Sequence, residues 1–292
     1  MDISVVIVNY NTRDRLLACL ATLEPELRGL ASEILVVDNG SGDGSAEAVR
    51  REFPQVRVIA NADNRGFSRA NNQALRQAQG DDVLLLNPDT EVRPGSVATL
   101  RIALHELPGA VGVGPKVVRP DGRLDLACRR SFPRPSVALA RLLGLGRLFP
   151  RSRWLARYNL TFQDPDLPGE IDAGTAAAMC FRLEPLAAIQ FFDEAFFMYG
   201  EDLDLCFRLK ERGGRIYYVP DAVVLHYKGQ SSVQRPKLML REFHKAMWTF
   251  YRKHYAGGWR VLFVPLVWSG IKLRYGFIVG LNAARGRQVV SP

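Results

Sequence analysis

Residues 3–11 read ISVVIVNYN, an apolar, largely β-branched run from Ile3 to Val8 that gives way to asparagines at Asn9 and Asn11. A run with no polar alternation is the pattern of a strand buried on both faces, which places it inside a parallel sheet covered by helices. The chain that follows keeps to that scheme. Asp14 to Leu23 sets Leu16, Leu17, Leu20 and Leu23 at helical spacing, and Ile34 to Val37 is a second buried run that ends in the turn-rich DNGSGDGS. A helix is predicted over Ser45 to Phe53, a strand over Val56 to Ala60, a helix over Ser68 to Gln79, and a fourth strand over Val83 to Leu86. Strand–helix alternation of this kind implies an α/β fold with right-handed crossovers.

Open parallel sheets bind their ligands beyond the carboxyl ends of the strands. Those ends are polar here: Asn9 and Asn11, Asp38 and Asn39, Asn61 to Gly66, and Asn87 to Asp89. Turn chemistry accounts for one or two such clusters; four in succession predict one polar crevice. No G-x-G-x-x-G follows the first strand, where NYNTRD stands, and no G-x-x-x-x-G-K-[ST] occurs. Their absence counts against a dinucleotide oxidoreductase and a P-loop kinase.

A second constellation lies at residues 191–208, FFDEAFFMYGEDLDLCFR. Asp193, Glu194, Glu201, Asp202 and Asp204 sit among Phe191, Phe192, Phe196, Phe197, Met198 and Tyr199. Carboxylates beside aromatics lose solvation and rise in pKa towards the range of a general base. The competing reading is a helix start, where acids complement the dipole.

The net charge of +9 is unevenly spread. Residues 126–162 hold eight arginines and no acid, and from Lys228 onward twelve basic residues face Glu242 alone, so the remainder is acidic. Such asymmetry points to an anionic partner, nucleic acid or an anionic membrane surface. Apolar runs edged by Trp, Tyr, Lys and Arg favour the membrane surface. Arg260 and Lys272 bracket 11 uncharged residues, and Arg274 and Arg285 bracket 10. Both runs fall short of the ~20 needed to span a bilayer, so helices lying in the headgroup region are expected, with packing on the protein's own core as the alternative. Cys19, Cys128, Cys180 and Cys206 are scattered without C-x-x-C spacing and read as reduced thiols of a cytosolic protein. The start MDISVVIV has no basic n-region of a secretory signal.

Six stretches in this order, VVIVNYNT, ILVVDNGSGDGS, NRGFSRANNQAL, NPDTEV, FFDEAFFMYGEDLDLCFRL and VVLHYKGQS, resemble glycosyltransferase family 2, most closely its bacterial rhamnosyltransferase-like branch. The resemblance implies a GT-A fold over residues 1–232, a Rossmann-like, mostly parallel sheet flanked by helices. Residues 1–110 would form the nucleotide-sugar half and 111–232 the acceptor half, carrying the basic insert 126–162. Residues 233–292 would be a basic, aromatic-rich helical region on the membrane. It further implies that Val8, Asn9, Tyr10 and Asp38 meet the nucleoside, that Asn64, Gly66 and Asn71 lie beside the nucleotide, and that Arg65 reaches phosphate. Asp89 matches the last acid of the family's D-x-D motif, which holds Mg²⁺ or Mn²⁺ on the diphosphate. Asn87 replaces the first acid, leaving one carboxylate fewer, and His226 matches a downstream histidine that serves as second metal ligand.

By the same resemblance Asp202 is the catalytic base, Glu201 orients the acceptor or Asp202, and Asp204 is a helix-start charge. Residues 174–179, GTAAAM, match the small-residue segment beneath the acceptor. The arginine-rich stretch Arg129 to Arg157 has no catalytic counterpart, and short amphipathic helices are expected there. The implied reaction is inverting transfer from dTDP-L-rhamnose, or from a UDP-linked hexose, N-acetylhexosamine or galactofuranose. The implied acceptor is a polyprenyl-diphosphate-linked or other envelope saccharide at the cytoplasmic face of the membrane. A non-catalytic nucleotide-sugar-binding subunit of a membrane complex remains the alternative of another class.

Overall fold

A computed structural model describes residues 1–228 and 235–285. The last three residues of the VVLHYKGQS stretch and the boundary expected at 232/233 lie outside the described residues. The chain runs β1 (Ile3–Asn9), α1 (Arg13–Leu23), β2 (Ser32–Asp38), α2 (Ser45–Glu52), β3 (Arg57–Ala60), α3 (Phe67–Leu75), β4 (Asp82–Leu86) and β5 (Thr90–Val92). It continues with α4 (Ser96–Glu106), β6 (Ala110–Val118), α5 (Pro135–Leu142), α6 (Leu145–Leu148), β7 (Gly169–Ile171), β8 (Ala178–Arg182) and α7 (Leu183–Ala188). The last elements are α8 (Glu201–Glu211), β9 (Arg215–His226), α9 (Pro236–His254) and α10 (Val264–Arg285).

Among the described residues the strands form one sheet of order β3-β2-β1-β4-β8-β6-β9-β5, with β7 on β9. The apolar run at 3–8 becomes β1, buried along its whole length between β2 and β4, both parallel to it. Strand β3 is parallel to β2 but forms the edge and is half exposed. Beyond β4 the sheet turns mixed: β8 is antiparallel to both β4 and β6, while β6 and β9 are parallel. One hydrophobic core joins the two halves, from Val5 and Leu85 through Phe181 and Phe196 to Phe250 on α9.

Strand β9 carries the feature that matters most for the site. Its register against β6 jumps from Pro115↔Val219 to Lys116↔Val223, where Pro115 and Pro220 supply no ladder donors, and such a bulge re-aims the strand. Beyond it, Val224 to His226 pair with β5, bringing His226 opposite Thr90 and hence beside Asp89.

Helix α9 is tied to α8 through Asp204, a fully buried carboxylate bound by Arg208 at 2.7 Å, Lys253 at 2.8 Å and His254 at 2.8 Å. Asp204 is thus the anchor of the C-terminal region as well as a helix-start charge.

The C-terminal segment departs from the two short runs expected. Val264 to Arg285 is one helix, and the most apolar part of Gly258–Ala284 has mean hydropathy 1.4 and is only 11% buried. By length and composition it is long and apolar enough to cross a membrane. The charges that were expected to divide it are absorbed locally: Lys272 lies over the Trp268 ring, and Arg274 donates to His244 of α9 at 2.8 Å. Ile271 and Ile278, seven residues apart, are buried, while Leu266, Leu273 and Phe277 face outward. The basic insert forms the short helices α5 and α6, which expose Leu139, Leu143 and Phe149.

Candidate active site

At the carboxyl end of β1, Asn9 is completely buried and its amide is committed. It donates to Asp38 Oδ1 at 3.0 Å and Ser41 Oγ at 3.1 Å, and accepts from the Thr12 hydroxyl at 2.7 Å. The Asn9 side chain, expected at the nucleoside, is thus tied to Asp38 and helps to aim it. Val8 is buried, and Tyr10 stands half-buried with Arg235 over its ring at 5.8 Å.

The third strand end is organised by Asn39, which the sequence placed in the crevice without a role. Its side-chain oxygen accepts from Arg65 N–H and from Asn61, and its amide donates to Asn64 Oδ1, each at 3.1 Å. Asn64 also accepts from Gly66 N–H at 3.0 Å. Gly66 has φ 85° and ψ 166°, and a Cβ there would lie 2.6 Å from the Phe197 ring. Phe67 N–H donates to Phe197 O at 2.7 Å, so the loop at 64–67 is pinned to the aromatic segment at 191–199. Asn71 is buried and donates to Phe67 O at 2.9 Å, holding the first turn of α3. Arg65 is exposed, 3.6 Å from Asp63.

Asn72 exchanges two hydrogen bonds with the Phe192 main chain, at 2.9 and 3.0 Å. Glu194 binds Asn72 and Arg76, and Asp193 binds Lys253. These contacts make Asp193 and Glu194 structural. Of the five acids between 191 and 208, Glu201 and Asp202 remain for chemistry.

At the end of β4, Asn87 N–H donates to Ala177 O at 2.9 Å, joining the strand end to the small-residue segment 174–179. Asp89 and His226 are both nearly buried, with Oδ1 and Nε2 3.2 Å apart. On the other side of the ring, His226 Nδ1 lies 3.5 Å from Asp125 Oδ2 without forming a hydrogen bond. Lys228 completes the row, donating to both Asp125 oxygens at 3.1 and 3.2 Å. Burial works against charge on His226, but the carboxylates of Asp125 and Asp89 outweigh it and push the imidazole up to about 9. Burial likewise opposes ionisation of Asp125, and His226 and Lys228 hold it well below the ordinary carboxylate range. Sequence reading missed Asp125, an acid just ahead of the basic insert with nothing near it in sequence to mark it.

The pair Asp89–His226 offers one hard oxygen and one imidazole, a donor set that suits Mg²⁺ or Mn²⁺. The Asp125 carboxylate stands 3.5 Å behind the ring, on the side where metal-binding histidines generally donate a hydrogen bond. Among the described residues no cluster of three or more His, Cys, Asp or Glu is ready to hold a metal alone. The remaining ligands would have to come from a substrate or water.

Glu201 and Asp202 open α8, immediately after Tyr199 and Gly200, both with positive φ (69° and 80°). A non-glycine residue held there is strained backbone, of the kind that accumulates at functional sites. Glu201 is buried, and its Oε2 has no hydrogen-bond partner. Burial, and then the charge on Asp202, push Glu201 up to about 8. Asp202 accepts from Leu203 N–H at 2.8 Å and from Arg130 at 2.6 Å. Arg130 also donates to the Gly174 carbonyl. It was missed because it stands in a run of arginines that reads as one basic surface; the structure buries it together with Arg129, while Arg147 and Arg151 are exposed.

Comparison with known proteins agrees with this architecture. The description "Glycosyl transferase family 2" matches residues 4–181, and "Glycosyl transferase family group 2" matches residues 173–284. An N-acetylglucosaminyl-diphospho-decaprenol L-rhamnosyltransferase of Mycobacterium tuberculosis is 32% identical over 97% of this chain and 95% of its own. Among solved structures, a Pyrobaculum calidifontis mannosyltransferase in complex with GDP-Man and Mn²⁺ superposes with a TM-score of 0.59 at 17% identity, over 97% of this chain and 75% of the other. S. aureus TarS 1–349 with UDP-GlcNAc gives 0.56 at 18%, over 85% and 65%. These two establish likeness of fold, and the sequence matches, one family description over more than half the residues and one relative nearly end to end, establish descent. The chain belongs to glycosyl transferase family 2.

Proposed function

We propose that this glycosyltransferase moves L-rhamnose from dTDP-L-rhamnose, with inversion at the anomeric carbon, to a hydroxyl of a polyprenyl-diphosphate-linked saccharide at the cytoplasmic face of the membrane. The observation that carries the reading is the nearly full-length relation to the mycobacterial rhamnosyltransferase. The geometry is consistent with it. Residues 1–110 form the donor half, where Asp38, aimed by Asn9, accepts from a pyrimidine N3–H. The loop Asn64–Gly66, Tyr10, Asn71 and Asn87 shape the surrounding wall, and Arg65 is free to swing towards phosphate. Residues 111–232 form the acceptor half.

Asp89 and His226 would hold Mg²⁺ or Mn²⁺, which would supply positive charge against that gathering on the departing diphosphate. His226 would serve as a ligand only as the neutral imidazole, with the Asp125 carboxylate 3.5 Å from its other ring nitrogen. Asp202 takes the proton from the acceptor hydroxyl as that oxygen attacks the anomeric carbon. One displacement needs one base, so no nucleophilic carboxylate is required. Glu201, protonated below about 8, can donate a hydrogen bond to the acceptor. Both basic segments are on this side of the chemistry: residues 126–162 and α9–α10 present the cations and apolar side chains that an anionic membrane surface would receive.

Calorimetric titration with dTDP, UDP and GDP, with and without Mn²⁺, tests the donor site. Binding of dTDP that strengthens with Mn²⁺ and is lost in Asp89→Ala is expected. A preference for UDP would replace rhamnose by a UDP-linked sugar. In Asp202→Asn, transfer should fall by roughly the 10²–10⁴-fold that general-base catalysis contributes, with nucleotide binding intact. Unchanged turnover removes Asp202 from the base role.

A further inference from the structure

We propose that Arg130 is a positioning residue for transfer: it fixes the Asp202 carboxylate at the head of α8 and links it to the floor of the acceptor site at Gly174. The proposal rests on the reading of Asp202 as the base. Arg129 and Arg130 are the buried arginines of their segment; Arg129 is committed to the carbonyls of Gln163 and Asp164, whereas Arg130 reaches a carboxylate. Its backbone forms an isolated bridge with Ala173, donating to Ala173 O at 2.9 Å and accepting from Ala173 N–H at 3.0 Å. The bridge sets the guanidinium under Gly174 O, and the same nitrogen, Nη2, reaches Asp202 Oδ2 at 2.6 Å. One side chain thus joins the insert, the small-residue segment and α8.

The consequence is geometric. Asp202 keeps one orientation, because one oxygen is held by the guanidinium and the other by Leu203 N–H. Glu201 beside it has neither partner. Arg130 therefore sets which of two adjacent acids is held in place to act as the base. Among the described residues the buried Nε of Arg130 has no hydrogen-bond partner, and the Asp202 contact is the guanidinium's one ion pair.

The test compares Arg130→Met and Arg130→Lys with the parent enzyme and with Asp202→Asn, reading donor Kd, kcat and KM. In Arg130→Met, Asp202 loses the group that orients it, so kcat falls at least tenfold while donor Kd and KM stay within twofold. Arg130→Lys keeps a donor at that place and restores part of the kcat. An Arg130→Met enzyme that binds donor normally and keeps the parent kcat overturns the proposal, as does an Arg130→Lys enzyme no more active than Arg130→Met. If Arg130→Met binds no donor, Arg130→Lys carries the test alone: a Lys variant that binds donor normally but is as inactive as Asp202→Asn refutes it. Full turnover in Asp202→Asn instead overturns the underlying reading of the base, which keeps the two failures distinct.

Discussion

At the head of α8 two neighbouring carboxylates meet opposite surroundings: Asp202 has a guanidinium at 2.6 Å, whereas Glu201 is buried with an oxygen that nothing satisfies. Burial and the adjacent charge move Glu201 from an ordinary 4.5 up to about 8. Between those values the folded protein binds a proton that the unfolded chain has released, so this group makes stability fall as pH rises through that window. Below 4.5 the penalty is absent; above about 8 it is complete. Glu201→Gln, neutral at every pH, should leave stability nearly unchanged at pH 5 and raise it at pH 8 relative to the parent. Urea midpoints at the two pH values check this, and an equal offset at both would show that Glu201 is not held protonated. That both residues are acids in an apolar frame was legible in FFDEAFFMYGEDLDLCFR. What divides them was not, because Arg130 lies 72 residues upstream and its sequence neighbours advertise a surface. The same limit applies to Asn9: a polar residue at a strand end is readable, but whether its amide faces ligand or Asp38 depends on Ser41 and Thr12 closing around it.

Among elements, the first four strands and their helices follow from hydrophobic pattern alone, since continuous apolar runs between turn residues leave little choice of register or burial. The second half was less legible for a physical reason. Strands β5 and β7 have three residues each, too few for a period, and β9 crosses Pro220, which reads locally as a break. Yet that bulged strand carries His226 to Asp89. The loop proposed to line the donor site shows a comparable dependence at Gly66, whose φ of 85° and ψ of 166° belong to a region essentially confined to glycine. A Cβ would also meet the Phe197 ring at 2.6 Å and its carbonyl oxygen at 2.8 Å. Gly66→Ala should therefore cost about 1–3 kcal/mol in backbone strain alone, and the displaced loop should weaken dTDP binding. Denaturant unfolding and calorimetry on the same sample measure both. A variant as stable as the parent would mean that the loop at 64–67 relaxes freely and is not clamped by Phe197.

For the molecule as a whole, charge and apolar exposure coincide. Among the described residues, the exposed large hydrophobic side chains other than Met1, Ile102, Leu126 and Leu167 all lie in 139–154 or 259–279, inside or beside the two basic segments. Burial, and then the charge of Arg141 in the insert, depress the Arg274 guanidinium of α10. An apolar surface rimmed by cations and tryptophans is costly in water and favourable against anionic headgroups, where each nearby Lys or Arg contributes about 1 kcal/mol. The parent protein should sediment with vesicles containing phosphatidylglycerol, and less so as salt is raised. The triple variant Trp268→Ser, Leu273→Ser and Phe277→Ser alters side chains that face away from the core, so it should keep dTDP binding while losing most vesicle binding. If the triple variant sediments like the parent, α10 is not the docking face, and the insert at 139–154 must carry the contact by itself. If the parent binds neutral vesicles equally well and without salt dependence, insertion of the long apolar stretch Gly258–Ala284 outweighs the electrostatic attraction, and α10 enters the bilayer more deeply than a helix lying at its surface.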